Sequence, residues 1–495
     1  MKHLPVLLAV AALASGCTLQ PAYQRPADLA PAAFPIGPAY VAAASANATP
    51  AADTGWQDFL ADARLRQLVG LALAGNQDLR IALLRVAQAR TALQSQRSAA
   101  LPQVGVEASG TRGRNAAGAA THANAVALSA AWEVDLFGRL QSLTDPAREQ
   151  YVASAHGRQA AHILLVAQVA EQYFAMLAYE EQLAVTEETL AAARESYRIV
   201  KLQFDTGTVS ELDETLARGT LEQAQANHAA QQRLRAQAEN ALVLLLGQPL
   251  PPAPGPATPL DRQPMLAAQF PAQFPAQFAA QFPDIPAGLP SDLLLRRPDV
   301  LQAEAQLRAA YADIGAARAA FFPNIQLTAA AGTASTALGQ LFEAGTGVWS
   351  FAPSLVLPLF DGGARQASLD NARIARDIGV AQYRQAVQVA FREVADGLAA
   401  RGTYDKELAA RQRDVAAQQR RLELAELLYS SGASDYLAVL AAKTDLYNAR
   451  VSLIAARQNQ LAALVGLYRA LGGGWLERTG ETPARADAGV AAPAS

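Results

Sequence analysis

Cysteine and histidine are scarce in this chain of 495 residues, which contains one cysteine and five histidines. A single cysteine excludes a disulfide framework and any cysteine-rich metal site. The histidines form no His-x-x-x-His pair, and the chain has no phosphate-binding Gly-x-x-x-x-Gly-Lys, dinucleotide fingerprint or Gly-x-Ser-x-Gly elbow. We therefore predict that the protein is not an enzyme and that it has no catalytic residue, metal site or dissociable cofactor.

Charge is also low and balanced, since 17% of the residues are charged and 41 basic residues stand against 44 acidic ones. No basic run is present, so nucleic acid is not an expected partner. Apolar residue types make up 51% of the chain, which is too large a share for a disordered protein. The composition indicates a folded protein.

The N-terminus has the pattern of a secretory signal, with Lys2, an apolar core from Leu4 to Leu13, and small residues before Cys17. The core is too short to cross a bilayer as a helix, which needs about 20 residues. Small residues that end at a cysteine resemble a bacterial lipobox, although the usual leucine three places before the cysteine is Ala14. We predict a signal peptide at residues 1–16 and covalent S-diacylglycerol and N-palmitoyl lipid on Cys17. A plain secretory signal is the alternative.

Long apolar runs are missing from the rest of the chain, where no run reaches 18 residues. A helical membrane span is therefore not expected. Any membrane crossing needs a β-barrel, because every backbone polar group in lipid must be paired. Thr18, and not aspartate, follows the cysteine, which by the common enterobacterial sorting rule implies the outer membrane.

The chain also repeats itself in order over about 170 residues. Asn76-Gln77-Asp78 aligns with Arg297-Pro298-Asp299, and Gly207 aligns with Gly432 some 225 residues later. Each copy reads as a helix, two strands, a long helix, a turn and a returning helix. We predict an internal tandem duplication.

Alternating apolar and polar residues predict the strands. The alternation runs through Val126 to Leu136 in the first copy, and Trp349, Phe351 and Leu355 share one face in the second. We predict strands at about 103–112, 125–137, 324–334 and 346–360. Their lengths fit tilted membrane-spanning strands of about 9–11 residues.

Two stretches almost without proline predict unusually long helices. No proline follows Pro146 between Asp145 and Phe204, and Gly363 to Tyr429 has none. About 60 residues of helix would span about 90 Å. Apolar residues recur every seven positions in both stretches, which predicts a left-handed supercoil against neighbouring helices. A soluble helical hairpin or filament would explain these heptads, but it would explain neither the strands nor the lipobox.

The repeats divide the chain into segments. We predict an extended N-terminal segment at 17–55, a first repeat at 56–247 that opens with a helix from Trp56 to Ala99, and a second repeat at 291–474. The returning helices are expected at about 211–246 and 435–471. A linker at 248–290 carries Ala-Gln-Phe four times within 268–282, and residues 475–495 form a flexible tail.

Several motifs resemble the outer membrane factor family of tripartite efflux systems, in its lipoprotein branch. They are Cys17 to Pro26, Ser291 to Val300 (SDLLLRRPDV), Ile314 to Pro323 (IGAARAAFFP), Pro358 to Gly363 (PLFDGG) and Leu467 to Trp475 (LYRALGGGW). The second of these is close to the family's most specific signature. The resemblance covers the chain from the cysteine to the last motif, and the Ala-Gln-Phe run is its main departure.

The resemblance implies an α+β membrane protein that forms a homotrimer. Each protomer would give four strands to a shared twelve-stranded outer-membrane β-barrel and its long helices to a twelve-helix periplasmic barrel. The residues support this expectation, because four strands cannot close a barrel alone and open strand edges cannot face lipid.

The resemblance also implies a function and partners. The protein would be the outer-membrane channel of a tripartite efflux pump, passively conducting drugs or other small toxic compounds. Its partners would be a periplasmic membrane-fusion adaptor, an inner-membrane proton-driven efflux pump and outer-membrane lipid. A duct for type I protein secretion is the alternative function, and a non-conducting structural lipoprotein is a third.

The family resemblance places a periplasmic gate at the two helix turns, where acidic residues of many members ring the aperture. The two matching positions here are Ala438 and Ala441, so that acidic pair is missing. Glu211, Asp213 and Asp435 lie near the turns instead, and these are our gate candidates. Alternatively, the three acids are first-turn residues that the helix dipole favours.

Overall fold

The structure is a computed structural model that describes residues 19–27, 31, 33–40, 50–114, 118, 120–252, 258–263 and 296–481. The expected signal peptide, Cys17 and the Ala-Gln-Phe run lie outside these residues. The first repeat contains α1 (Trp56–Phe59), α2 (Ala63–Gly75), α3 (Gln77–Ala99), β1 (Gln103–Arg114), β2 (Ala120–Val134), α4 (Arg139–Asp205) and α5 (Glu211–Leu246). The second contains α6 (Pro298–Ala319), β3 (Asn324–Ser335), β4 (Gly347–Val356), α7 (Ala364–Ser430) and α8 (Tyr436–Ala470).

The two repeats match closely in backbone detail, which confirms the duplication. The long helices α4 and α7 each have 67 residues. They end at equivalent turns, where Gly207 and Gly432 both have a φ of 74°. Asn76 Nδ2 donates to the Leu245 carbonyl at 2.9 Å, and Arg297 donates to the equivalent Ala470 carbonyl at 3.0 Å.

The opening helix of the first repeat is three helices, so the expectation of one helix from Trp56 to Ala99 is wrong. Asp62 accepts hydrogen bonds from the N–H groups of Arg64 and Leu65 and begins α2. Asn76 accepts one from the N–H of Leu79 and begins α3. Short polar side chains that cap a helix in this way favour a new helix start over continuation.

The long helix α4 begins earlier than expected, at Arg139 instead of Asp145. Gly138, with a φ of 66°, turns the chain out of the strand, and the Asp135 carboxylate accepts from the N–H of Gln141 at 2.9 Å. Pro146 stays inside the helix, where it removes one backbone donor. The hydrogen bond from Gln141 to Asp135 stabilises the first turn, so the helix begins before Pro146, although proline usually lies at the first position of a helix.

The bounds of the second and fourth strands differ from those expected, because hydrogen bonding to the neighbouring strand determines where each strand begins and ends. The second strand lies at 120–134 and not 125–137, because its first residues pair with the far end of β1. The fourth strand stops at Val356, opposite Asn324 where β3 begins, and so does not reach 360. A strand without a neighbour has no ladder to continue.

The hydrophobic core lies among the helices, where α4 packs against α2, α3, α6 and α8. Tyr173 and Phe174 of α4 are almost completely buried there. Among the described residues α4 alone contains an 18-residue window apolar enough to cross a membrane, and 56% of that window is buried inside the protein. Core packing accounts for its composition.

The C-terminal segment is hydrogen-bonded to the start of the first repeat up to Thr479, so the flexible tail expected from residue 475 starts too early. The N–H of Trp56 donates to the Leu476 carbonyl at 2.9 Å. The N–H of Thr479 donates to the Asp58 carboxylate at 2.7 Å. These bonds bring the end of the second repeat against the start of the first. Residues 482–495 lie outside the described residues.

Candidate functional site

The four strands form one antiparallel sheet in the order β1-β2-β3-β4. Each repeat contributes one hairpin, and the hairpins meet where β2 pairs with β3. Within the described residues, β1 and β4 are the outer strands and their outer edges have no strand partner. Unpaired edges cannot lie in lipid, so the sheet needs further strands to complete it.

One face of the sheet is apolar in the rows nearest the helices and in the middle of the strands. Val106, Leu128, Ala331 and Trp349 lie opposite one another across the four strands. The side chain of Trp349 is 81% exposed in the protomer. The next row contains Val104, Ala130, Ala329 and Phe351. This arrangement confirms the alternation expected from the sequence and forms a surface suited to lipid.

The opposite face carries small and polar residues, and it ends in a cavity beside the start of α4. Glu133, Gln326 and Ser354 lie opposite one another across β2, β3 and β4. Glu133 accepts two hydrogen bonds from Arg139, at 2.7 and 2.6 Å. The cavity of about 390 Å³ is lined by Arg139, Asn324, Gln326 and Ser354 among others. A polar face opposite a lipid-suited one is typical of a barrel lumen.

Below the sheet, the hairpins α4/α5 and α7/α8 extend away as paired helices. A helix of 67 residues is about 100 Å long. Near the turns, Val200 of α4, Ala217 of α5 and Tyr436 of α8 share one buried cluster. Tyr197 and Tyr429, which occupy heptad positions of the two long helices, pack against it. The seven-residue repeats therefore lie along the helix contacts.

The three gate candidates lie at the starts of the returning helices. Asp213 completes a capping box, since its carboxylate accepts from the Ser210 N–H at 3.1 Å and the Ser210 hydroxyl accepts from the Asp213 N–H at 3.2 Å. Asp435 accepts from the Ala438 N–H at 3.1 Å. Glu211 lies in the first turn of α5 with its side chain exposed. Capping is thus the role that one protomer shows for two of these acids.

A fourth acid near the turns did not stand out in the sequence. Glu214 is 7% exposed, and it accepts from the Tyr197 hydroxyl at 3.0 Å. This hydrogen bond raises the pKa of Tyr197. Ser196 and Tyr436 join α4 to α8 nearby with hydroxyl oxygens 2.5 Å apart. Glu214 lies three residues after Glu211, on the same side of the helix, and this spacing is the one sequence feature that could have identified it as a further acid near the turn.

Metal-ligating side chains are scattered in the structure. Within the parts of the chain that it describes, no three His, Cys, Asp or Glu residues are placed to hold a metal ion. His162 is packed edge-on against the Trp475 ring, with 4.9 Å between ring centroids. Burial, together with the nearby Arg158 charge, lowers the pKa of His162 to about 4. It is therefore a neutral packing residue at neutral pH.

Comparison with known proteins shows which proteins this chain is similar to. The model of the outer membrane efflux protein family matches residues 68–248 and 289–473. The probable efflux pump outer membrane protein TtgC of Pseudomonas putida is 41% identical over 488 residues, which cover 97% of both chains. The cation efflux system protein CusC of Escherichia coli is 39% identical over 478 residues, which cover 96% of this chain and 99% of CusC.

Solved structures agree with the sequence relatives. The open state of the Neisseria gonorrhoeae MtrE outer membrane channel superposes with a TM-score of 0.80 at 37% identity, covering 94% of this chain and all of MtrE. A CusC structure superposes with a TM-score of 0.77 at 37% identity, covering 92% of this chain and all of that one. The expected fold class is confirmed: an outer-membrane α+β protein in which a trimeric β-barrel continues into a periplasmic helical barrel. The chain belongs to the outer membrane efflux protein family.

Proposed function

We propose that this protein is the outer-membrane channel of a tripartite efflux pump and conducts small toxic compounds passively to the exterior. The observation that supports this most strongly is the four-stranded sheet, which has one largely apolar face, one face of small and polar residues and, within the described part of the chain, two unpaired edges. Three copies around an axis would pair those edges into twelve strands with a polar lumen. The attached hairpins of about 100 Å would continue that lumen into the periplasm.

The proposed partners are a periplasmic membrane-fusion adaptor and an inner-membrane proton-driven pump. The duct contributes no energy and hydrolyses nothing, so the pump supplies the driving force and selects the cargo. The names of the relatives favour small cargo, since they include toluene, solvent, antibiotic and cation efflux proteins. These relatives differ in named cargo although each is 39–41% identical to this chain, which agrees with selection by the pump.

Cys17 is the proposed site of lipid attachment. An S-diacylglycerol and an N-palmitoyl chain would give the mature N-terminus a stable hold on the inner leaflet, because two or more chains are needed for lasting anchorage. Metabolic labelling with palmitate tests this directly. Label in the wild type and none in Cys17→Ser is the expected result, and equal label in both would place the lipid elsewhere.

Glu211, Asp213 and Asp435 are proposed to set the charge of the periplasmic aperture. Threefold symmetry would bring three copies of each carboxylate towards the axis. Like charges in such a ring favour the entry of cations and resist tight closure. The capping bonds of Asp213 and Asp435 use part of each carboxylate and leave its negative charge in place.

Conductance and cell survival together test the function. Purified trimers should conduct ions across a planar bilayer, and deletion of the protein should sensitise cells to small toxic compounds without loss of any secreted polypeptide. A secretion defect with unchanged sensitivity would favour type I protein secretion. Folded trimers that never conduct would favour a structural lipoprotein.

A further inference from the structure

The hairpin of β1 and β2 extends beyond the other two strands. β1 pairs with β2 as far as Arg114, whereas β3 pairs with β2 only as far as Asn124. The part of the hairpin beyond Asn124 is therefore a two-stranded ribbon, and we call residues 111–114 and 120–123 the outer ribbon. The helices join the sheet at its other end, so in an outer membrane with periplasmic helices the outer ribbon projects to the exterior.

The arginines of the outer ribbon lie on the apolar face of the sheet. Successive side chains of a strand point to opposite faces, and Arg112 and Arg114 are separated from Val106 by an even number of residues. His122 lies directly opposite Arg112 on β2 and therefore shares its face. All three side chains are exposed. The outer ribbon thus carries positive charge on the outside of the barrel wall and not in the lumen.

The basic residues begin just above the apolar surface. On β2 the apolar side chains of this face run from Val134 to Val126, and Asn124 and His122 follow them. The eight steps from Val134 to Val126, at about 3.4 Å each and a tilt of about 40°, give about 20 Å of height, close to the apolar band of about 25 Å in outer-membrane barrels. His122 and its partner Arg112 lie about 10 Å higher, and an arginine side chain can bend back from there to the headgroup layer.

The spacing of these side chains suits one phosphate group. Residues two apart on a strand lie about 7 Å apart, and cross-strand neighbours have Cβ atoms about 5 Å apart, so Arg112 has Arg114 on one side and His122 on the other. A guanidinium binds phosphate through two parallel N–H···O bonds, and an imidazole N–H adds a further donor. Within the described residues neither arginine forms an ion pair, so both charges are available to a ligand.

We propose that the outer ribbon binds a phosphate of the glycolipid that forms the outer leaflet of an outer membrane (lipopolysaccharide), with one such site on each protomer. This lipid has phosphorylated sugars above its acyl chains, so the chains can pack on the apolar face while a phosphate contacts Arg112 and Arg114. A free anion would use the arginines alone, whereas the continuity of the apolar and basic surfaces fits a lipid. Phospholipid of the inner leaflet lies at the other end of the strands and cannot reach the outer ribbon.

Glu343 offers the arginines a different partner. It is an exposed acid in the connection between β3 and β4. Closure of the barrel by three protomers would place β4 of one protomer beside β1 of the next. An ion pair between Arg112 and Glu343 across that seam would join the protomers and would leave less charge for a lipid. The stability of trimers without lipid distinguishes this pair from a lipid site.

Native mass spectrometry of purified trimers in detergent, titrated with diphosphorylated lipid A, tests the proposal. Arg112→Gln with Arg114→Gln should weaken binding about 25-fold, because each arginine near an anionic surface contributes about fivefold. Lipid A without phosphates should bind weakly and equally to the wild type and this double variant. Arg198→Gln with Arg420→Gln is the matched control, since it removes the same charge from exposed positions of the long helices and should bind lipid A like the wild type.

Equal affinity of the wild type and the double variant for lipid A would overturn the proposal. Phosphatidylglycerol that binds as tightly as lipid A would also overturn it, as would displacement of lipid A by an equal concentration of inorganic phosphate, because the site would then recognise any anion. In lipid-free detergent the double variant should melt at the same temperature as the wild type. A lower melting temperature that Glu343→Gln reproduces would show that the arginines pair with Glu343 instead.

Discussion

Arg297 offers the sharpest test of how the second repeat is held together. Its side chain is 8% exposed and donates to the Ala470 carbonyl at 3.0 Å. It also pairs with Asp299 at 2.6 Å and with Glu393 of α7 at 2.8 Å. One guanidinium thus joins the start of α6, the middle of α7 and the end of α8. Burial opposes its charge, but the carboxylates of Asp299 and Glu393 outweigh burial and raise the pKa of Arg297.

We expect Arg297→Ala to destabilise each protomer by about 3 kcal/mol. Breaking a buried ion pair from one side costs about 3–5 kcal/mol, because the remaining charge is left without its partner. The lower end applies here, since Asp299 is 41% exposed and can rehydrate, while Glu393 keeps Arg469 at 3.6 Å. The loss of the donor to the Ala470 carbonyl is part of this total.

The melting temperature of the trimer in detergent measures this cost. With an unfolding entropy of about 2.1 cal/mol/K per residue, a chain of this length loses roughly 1 °C per kcal/mol, so we expect a fall of about 3 °C. Arg296→Ala is the matched control, because Arg296 is 41% exposed and pairs at 2.8 Å with an Asp53 side chain that is 54% exposed. Exposed pairs contribute about 0–1 kcal/mol, so the control should melt within about 1 °C of the wild type. Equal melting of the two variants at one scan rate would refute the reasoning.

Three further predictions concern acid stability, the sheet and the gate. His162 has a folded-state pKa of about 4, below the ordinary 6.5, so the unfolded chain binds its proton first and stability should fall as the pH drops from about 6.5 to 4. His162→Gln should flatten that part of the pH–melting curve, and an unchanged slope would contradict the assignment. Arg in place of Leu128 on the apolar face should cost about 2–4 kcal/mol and lower the yield of membrane trimers, whereas Arg in place of Ser129 on the polar face should be milder. Asp213→Asn with Asp435→Asn should reduce cation preference in reversal-potential measurements, and an unchanged preference would leave both residues as caps only.

Periodicity in the sequence was enough to predict the strands and the long helices, whereas the trimeric barrel was implied by the family resemblance. Residues that alternate along one strand must lie on opposite faces of a sheet, so the apolar row through Val126 and Leu128 could be placed without coordinates. Long stretches free of proline fixed α5 at 211–246 and placed the ends of α4 and α7 within one residue. The strand faces and the helix bounds depend on residues that are close together in the chain, so the sequence alone could predict them.

Contacts between distant residues decided what could not be predicted. The capping bonds of Asp62 are local, but its second carboxylate oxygen accepts from the Tyr173 hydroxyl at 3.3 Å, and Tyr173 lies 111 residues later in the chain. Leu476 belongs to a polar C-terminal stretch, and its partner Trp56 is 420 residues earlier in the chain. Glu304 is one acid among many in helical sequence, but its carboxylate accepts from Arg25, which lies 279 residues earlier in the chain. Each of these roles is set by a partner that no local pattern reveals.

The equivalent turns of the two repeats show how capping and gating share the same charges. Each returning helix is capped with the help of one carboxylate, but that carboxylate stands at different positions. In the first repeat Ser210 begins the helix and Asp213 lies three residues later, whereas Asp435 begins the second and Ala438 lies three residues later. The capping carboxylate therefore lies about one helical turn further along in the first copy. The first turn of α5 also carries Glu211 and Glu214, whereas the first turn of α8 has no acid, so the two turns of each protomer differ in charge. At the N-cap position of Asp435 asparagine caps a helix about as well as aspartate does, and at position 213 an asparagine Oδ1 can still accept from the Ser210 N–H, as the Asp213 carboxylate does. Replacement of Asp213 and Asp435 by asparagine should thus remove the charge and keep the helix starts, which separates the two roles in a single variant.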